Sequence, residues 1–452
     1  MEKLSLQEII SAVHGSYGYP ADVEISDIST DTRTIKPGSL FIALKGENFD
    51  GHNFAAKAME LGAEAVVTER PVEGARCMIV DSTARALLDI AGYYRSKFDV
   101  KVVGVTGSVG KTTTKDMIAL VVAQKYKTLK TQGNHNNEIG MPQTLFGLDS
   151  SYEAAVIEMG MSHQGEISRM SMSCQPDVAV ITNIGISHIE NLGTQENILK
   201  AKLEILDGAA YDAPLILCRD DKLLAGVQLH SDRKVYYYSV SKKDCDVYAS
   251  GVKTVDNSIT FTINYEGGKI AAQINCLGEH NVKNALAAFC VGLALDIPPE
   301  DIVKGIAQFK PEGLRQNVTV IDGVTYIVDC YNAAPDSMKA SLSVLSQAQA
   351  EGKRICVLGD MLELGKNSKT YHRNGEYVAA SKADLLYCFG EDSKCYIEGA
   401  EKKGFAKENC RHFESRDDLA AALKEVVAKG DAVLFKGSRG MKLEEVFNAL
   451  TK

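Results

Sequence analysis

Short apolar runs alternate with stretches of helical periodicity along most of this chain, and the spacing of that alternation divides it into three parts. Over residues 1–98 the runs are brief and broken by turn residues. The opening MEKLSLQEIISAV has the spacing of an amphipathic helix. Residues 28–33 read as a polar loop, Pro37-Gly38 as a turn, 39–44 as a buried strand, 52–61 as a helix, 63–68 as a strand and 84–97 as a helix. From 99 to 312 the alternation is regular. Strands are expected over 101–106, 153–158, 177–182 and 214–218, each beside a helical stretch. That is the pattern of a parallel sheet whose ligands lie at the carboxyl ends of its strands. Residues 234–277 interrupt it and read as β-hairpins with turns at Asp256-Asn257 and Gly267-Gly268. A helix over 280–295 follows, then a shorter one after Pro298-Pro299. From 313 to 452, strands over 325–329, 354–358, 384–389 and 432–435 again alternate with helices, as in a smaller doubly wound domain. The predicted class is α/β in three domains, 1–98, 99–312 and 313–452.

One local pattern carries chemistry by itself. Residues 104–114 read GVTGSVGKTTT, placed between the apolar run 101–106 and a helix expected over 112–124. A strand, a glycine-rich loop ending in Gly-Lys-Thr and a helix form a cradle for nucleotide phosphates. Glycines let the backbone approach the phosphates, and N–H groups at the helix start point at them. The expected contacts are Gly107, Ser108, Val109, Gly110, Lys111, Thr112 and Thr113, with Lys111 on the β/γ-phosphates and the Thr112 hydroxyl on Mg²⁺. The usual first glycine is displaced: Val105 stands at its position, flanked by Gly104 and Gly107.

Composition narrows the class. A net charge of -9 and a pI near 5.6 argue against general nucleic-acid or membrane-surface binding, but leave room for a local basic pocket. Eleven cysteines with no CxxC pair read as reduced core thiols rather than a disulfide frame or a zinc site. No run reaches the ~18 apolar residues of a membrane span, and the amino terminus lacks the apolar core of a signal peptide. The expectation is a cytoplasmic enzyme.

Three further residues attract attention. Glu158 closes the apolar run 154–157. A carboxylate at the end of a strand beside a phosphate loop is placed to hold Mg²⁺; the bland alternative is a surface carboxylate. His188, after the strand 177–182, reads on its own as a hydrogen-bonded loop histidine. Lys202, in a helical stretch, reads on its own as a solvated surface lysine.

Several segments together resemble the Mur ligase family, ATP-dependent amide-bond-forming enzymes of peptidoglycan precursor synthesis. They are the phosphate loop, NHNNEIG (134–140), EMG with HQGEI (158–167), GEHNVKNA (278–285), DCYNAAPDS (329–337), GDMLELG (359–365) and KGSR (436–439). The resemblance runs the length of the chain. HQGEI, GDMLELG and KGSR point within the family to the member joining D-alanyl-D-alanine to UDP-N-acetylmuramoyl-tripeptide. The resemblance implies a nucleotide-sugar-binding first domain, a central ATP-binding domain and a Rossmann-like third domain that takes the dipeptide. It implies that Lys111, Glu158, His188 and Lys202 are catalytic, and that Thr112, Glu158, His188 and Lys202 hold Mg²⁺, the lysine as a carbamate. It implies ATP contacts at Asn281, Arg315 and Asp329. Substrate contacts are implied at Ser29, Thr30, Asp31, Arg33, Asn134, Asn137, Tyr331, Asn332, Ser438 and Arg439, with the chain acting as a monomer. Other readings are a different amide ligase of the superfamily (another Mur step, a folylpolyglutamate or cyanophycin type), a nucleotide-dependent switch, and a catalytically dead homologue.

Overall fold

The computed structural model describes residues 1–46, 48–229, 232–373 and 376–451, and three main sheets organise them. The first has five strands in the order Ser16–Tyr17, Cys77–Ile79, Ala63–Thr68, Ser39–Ile42, Asp27–Ser29, parallel except at the Ser16–Tyr17 edge. The helix Leu6–Val13 begins with a capping box, in which Ser5 Oγ accepts from Glu8 N–H and the Glu8 carboxylate accepts from Ser5 N–H.

The second sheet is the frame of the molecule. Its nine strands run in the order Gly268–Ile274, Ser258–Tyr265, Val247–Val255, Val235–Ser239, Leu215–Cys218, Val178–Ile181, Lys101–Thr106, Ala154–Glu158, Thr128–Lys130. Val102, Val103 and Val105 are wholly buried, because helices cover both faces of a parallel sheet and leave the central strand no solvated side. The hairpin reading of 234–277 needs correction at its start. Val235–Ser239 pairs parallel with Leu215–Cys218 and with Val247–Val255, so it extends the parallel sheet. Only the last three strands form antiparallel hairpins. The second hairpin turns at Glu266-Gly267, one residue earlier than expected.

The third sheet has six strands in the order Asn317–Ile321, Val324–Asp329, Ala432–Lys436, Arg354–Gly359, Leu385–Phe389, Cys410–Phe413, parallel except for the first. Asn317–Ile321 and Cys410–Phe413 escape sequence reading because they are edge strands, half solvated, without a continuous apolar run.

Packing joins the parts unequally. One continuous apolar core runs from Leu4 to Phe309 and so fuses the first sheet to the second. The helix Thr83–Ser96 is the joint: Tyr94 Oη donates to Leu148 O (2.6 Å), Ser173 Oγ to Leu88 O (2.9 Å) and Arg95 Nε to Cys174 O (3.0 Å). A Cβ at Gly92 would stand 3.3 Å from Ser173 Cα, so the small residue permits this close approach. The third sheet has two cores of its own, one on each face. It meets the rest through polar contacts and through Leu277 and Ile186.

Candidate active site

A cavity of about 1050 Å³ lies where the second and third sheets face each other. Its floor is the phosphate loop, at the carboxyl end of Lys101–Thr106, where strand order reverses between Val178–Ile181 and Ala154–Glu158. The loop is fixed before any ligand arrives. Ser108 N–H donates to Asn183 O (3.1 Å), Val109 N–H to Asn183 Oδ1 (3.0 Å), and Asn183 Nδ2 to Val109 O (2.8 Å). At Gly107 (φ +150°) a Cβ would meet Thr182 Oγ1 at 1.9 Å, so only glycine fits. Gly110 (φ +79°) turns the chain into the helix Lys111–Val122. Because Asn183 occupies the Ser108 and Val109 amides, the N–H groups left for an anion include those of Gly110 and of the helix's first turn, Lys111, Thr112 and Thr113. Lys111 Nζ curls back onto Gly107 O (2.8 Å) and Ser108 O (3.3 Å). Burial pushes its ammonium below the ordinary lysine range, with Glu158 opposing that shift.

Beside it lie two buried oxygens without partners, Thr112 Oγ1 and Glu158 Oε2. The register of Ala154–Glu158 against Lys101–Thr106 sets Glu158 opposite Val105, two residues before Gly107. Glu158 is fully buried, and its other oxygen accepts from Asn136 Nδ2 at 2.7 Å. Lys202, 2% exposed on the helix Gln195–Leu203, has no polar partner among the described residues. Burial, then the charge of Lys111, drives its ammonium well below the ordinary range. The surface-lysine reading is therefore wrong in geometry. His188, in the left-handed region (φ +60°), lines the cavity. Its Nδ1 lies 2.8 Å from Glu363 Oε2, an ion-pair distance at which the ring N–H does not point along the line between them.

The third sheet forms the opposite wall. Arg315 stacks over the Tyr331 ring (3.8 Å to the centroid), and both line the cavity. Asp329 accepts from Lys436 Nζ (2.8 Å) and Ser341 Oγ (2.5 Å). Burial would raise its pKa, but Lys436 and Ser341 outweigh that and hold it below the usual carboxylate range.

Residues 24–92, 105–292 and 314–439 match three family descriptions: "Mur ligase family, catalytic domain", "Mur ligase middle domain" and "Mur ligase, glutamate ligase domain". The UDP-N-acetylmuramoyl-tripeptide--D-alanyl-D-alanine ligase of Bacillus subtilis is 41% identical, covering 100% of this chain and 99% of that protein. The chain belongs to the Mur ligase family. The Escherichia coli ligase of the same name is 34% identical over 100% of this chain and 99% of its own. A crystal structure of MurF from Acinetobacter baumannii superposes with a TM-score of 0.92 at 32% identity, covering 100% and 99% of the two chains. MurF ligase from Thermotoga maritima in complex with ADP gives 0.85 at 29% identity, covering 94% and 97%.

For this Mur ligase, the fold gathers Ser108, Val109, Gly110, Lys111, Thr112, Thr113, Asn137, Glu158, His188, Arg315, Asp329, Tyr331 and Asn332 around one cavity. Other residues stand apart from its lining. Asn281 is buried beneath, donating to Leu277 O (2.8 Å) and Gln316 Oε1 (2.9 Å), while Asn284 reaches the surface of the cavity. Asn134 is exposed in its loop. Ser438 Oγ accepts from Leu362 N–H (2.9 Å), and Arg439 pairs with Glu444. Ser29, Thr30, Asp31 and Arg33 form a self-contained turn by the first sheet. There Ser29 Oγ donates to Asp31 O (2.8 Å), and Asp31 caps Arg33 N–H and pairs with its guanidinium, which holds the carboxyl down at about 2. Sequence reading missed Asn136, Asn183, Gln316 and Lys436. Each is a polar residue in a motif or loop, and only the pairing of distant strands shows what it touches.

Proposed function

We propose that this chain joins D-alanyl-D-alanine to UDP-N-acetylmuramoyl-tripeptide, consuming ATP and releasing ADP and phosphate. The full-length likeness to ligases of that name supports the substrates. The observation that carries the ATP chemistry is the pair of partnerless buried oxygens, Thr112 Oγ1 and Glu158 Oε2, beside the phosphate loop.

A carboxylate does not condense with an amine at neutral pH, because its oxygen is a poor leaving group. Transfer of the γ-phosphoryl to the peptide's terminal carboxylate gives an acyl phosphate, which the dipeptide's amine attacks with loss of phosphate. The first-turn amides and Lys111 hold the triphosphate in line for that transfer. Lys111 spends its donors on the carbonyls of Gly107 and Ser108 until phosphate oxygens replace them.

Hard oxygen donors suit Mg²⁺, and Thr112 and Glu158 supply two. Among the described residues no group of three or more His, Cys, Asp or Glu side chains is gathered to hold a metal. This agrees with an ion held by one or two protein oxygens together with substrate phosphates. Bound Mg²⁺ supplies positive charge against the repulsion between triphosphate and carboxylate. His188 and Lys202 would serve a second ion. As a free amine Lys202 does not fit, but burial lowers its pKa and so favours the neutral form that adds to carbon dioxide, and the resulting carbamate is anionic. Closure of the facing walls over the substrates would keep water from the acyl phosphate. In this reading the domain bounds fall near 98 and 312, with the nucleotide sugar on the Ser29–Arg33 side and the dipeptide near Tyr331, Asn332 and Ser438.

The test is ATP-dependent phosphate release with UDP-N-acetylmuramoyl-tripeptide, with and without D-alanyl-D-alanine. The expected result is release that requires both and a product heavier by the dipeptide. Release independent of either overturns the proposal in favour of a nucleotide switch.

A further inference from the structure

The segment GDMLELG leaves the strand Arg354–Gly359 at the edge of the cavity and is held from behind. The wholly buried His372 accepts Met361 N–H at Nε2 (2.9 Å) and donates from Nδ1 to Ser368 O (2.8 Å). Ser438 Oγ accepts the next amide, Leu362 N–H (2.9 Å). These clamps leave Glu363 at the tip with φ +63°, a conformation that side-chain-bearing residues rarely adopt. Gly365 then passes so close to the middle unit that its missing Cβ would lie 3.4 Å from Glu190 Cβ.

Facing this tip, His188 also adopts a left-handed conformation (φ +60°), where it begins the short helix Ile189–Leu192. The two side chains meet at 2.8 Å, Nδ1 to Oε2. Glu363 is 61% exposed, and an exposed ion pair contributes too little stability to offset two strained backbones. Such strain is expected where surrounding structure holds a contact for use. An ionised carboxylate only accepts, so a neutral ring turned to face it carries its proton on Nδ1 and keeps the lone pair on Nε2. Nε2 has no protein partner among the described residues. A carboxylate behind a working histidine fixes its tautomer and orientation, and contacts of this kind straighten in the substrate complex.

We propose that Glu363 is a positioning residue for ligation: carried by the third unit, it sets the ring of His188 in the middle unit, so that His188 is oriented only while the two units are docked. This rests on the ligase reading above.

The test uses full-length Glu363→Ala and Glu363→Gln. Nitrogen spectra of protein labelled with ¹⁵N-histidine identify His188 by the signal lost in His188→Gln. The expected wild-type signal is that of an Nδ1–H ring, and Glu363→Ala moves it toward the mixed-tautomer position. In kinetics, Glu363→Ala lowers kcat about tenfold to a hundredfold while the KM values for ATP and dipeptide stay within about twofold. Glu363→Gln, which keeps an acceptor oxygen, falls between. Adding Glu363→Ala to His188→Gln costs nothing further, because the two act as one unit. An unmoved His188 signal, additive losses, or a raised KM for the dipeptide at constant kcat each overturn the proposal; the last would assign Glu363 to the dipeptide itself. Absence of ligation by the wild-type chain would defeat the ligase reading, and the nitrogen spectra would still decide the pairing.

Discussion

Glu158 is a buried carboxylate with one oxygen satisfied by Asn136 and one with nothing. A protein keeps such a group at a cost of about 1–3 kcal/mol, so its replacement separates function from stability. Glu158→Gln is expected to lower ligation about a hundredfold or more. Without nucleotide it should leave the thermal midpoint unchanged or raise it, because a neutral amide costs less to bury than a carboxyl group with an oxygen left without a partner. A marked fall in the midpoint would make Glu158 a structural residue. Glu158 was legible in sequence from its place at a strand end near Gly-Lys-Thr. Asn136, which orients it, was not: one of three asparagines in NHNNEIG, it is distinguished only by the packing of its loop against the strand Ala154–Glu158. Lys202 was misread from its residues alone, because periodicity cannot show that the helices Glu166–Cys174 and Ile189–Leu192 pack against its own helix.

At the level of the element, the phosphate loop owes its shape to a strand far away in sequence. Asn183 follows Val178–Ile181 and holds Val109 from both sides, N–H and carbonyl. Asn183→Ala removes both bonds and leaves Val109 N–H without its acceptor. The expected outcome is a loss of about 1–3 kcal/mol in denaturant unfolding, together with a raised KM for ATP and a smaller change in kcat. An unchanged KM would mean that the glycines alone shape the loop. The strand, loop and helix were readable because all three are contiguous. The partner strands with continuous apolar runs were readable, whereas the half-buried edge strand Thr128–Lys130 was not, and Val235–Ser239 was misassigned because Tyr236 and Tyr237 are only half buried and break any buried apolar run. Whether such a strand pairs parallel or antiparallel is decided by the helices that cover the sheet, and its own pattern carries no record of that.

On the scale of the molecule, motion belongs to one joint. The two domain bounds expected from the sequence, near 98 and 312, are both candidate hinges. Phe98 and Val100 are packed into the shared core, which makes the first a poor pivot. The segment 309–316 is irregular, with Gly313 at φ +65° and Gln316 at φ +49°. Gln316 bonds at once to Asn281, to Leu277 O and, through its amide, to Asp329. Closure on nucleotide and tripeptide is therefore expected to turn the third unit about 309–316 while the first two move as one body. Small-angle scattering should show a smaller radius of gyration on binding, and limited proteolysis should cut free enzyme near 313 and spare the liganded form. Preferential cutting near 99 would contradict this. The same partition orders events at the ribosome. The core from Leu4 to Phe309 draws no side chain from beyond 309, so a nascent chain can complete its nucleotide-binding half while the rest is still being translated. The wall carrying Tyr331 and Lys436 arrives last, and until then an acyl phosphate formed on the growing chain would stand open to water.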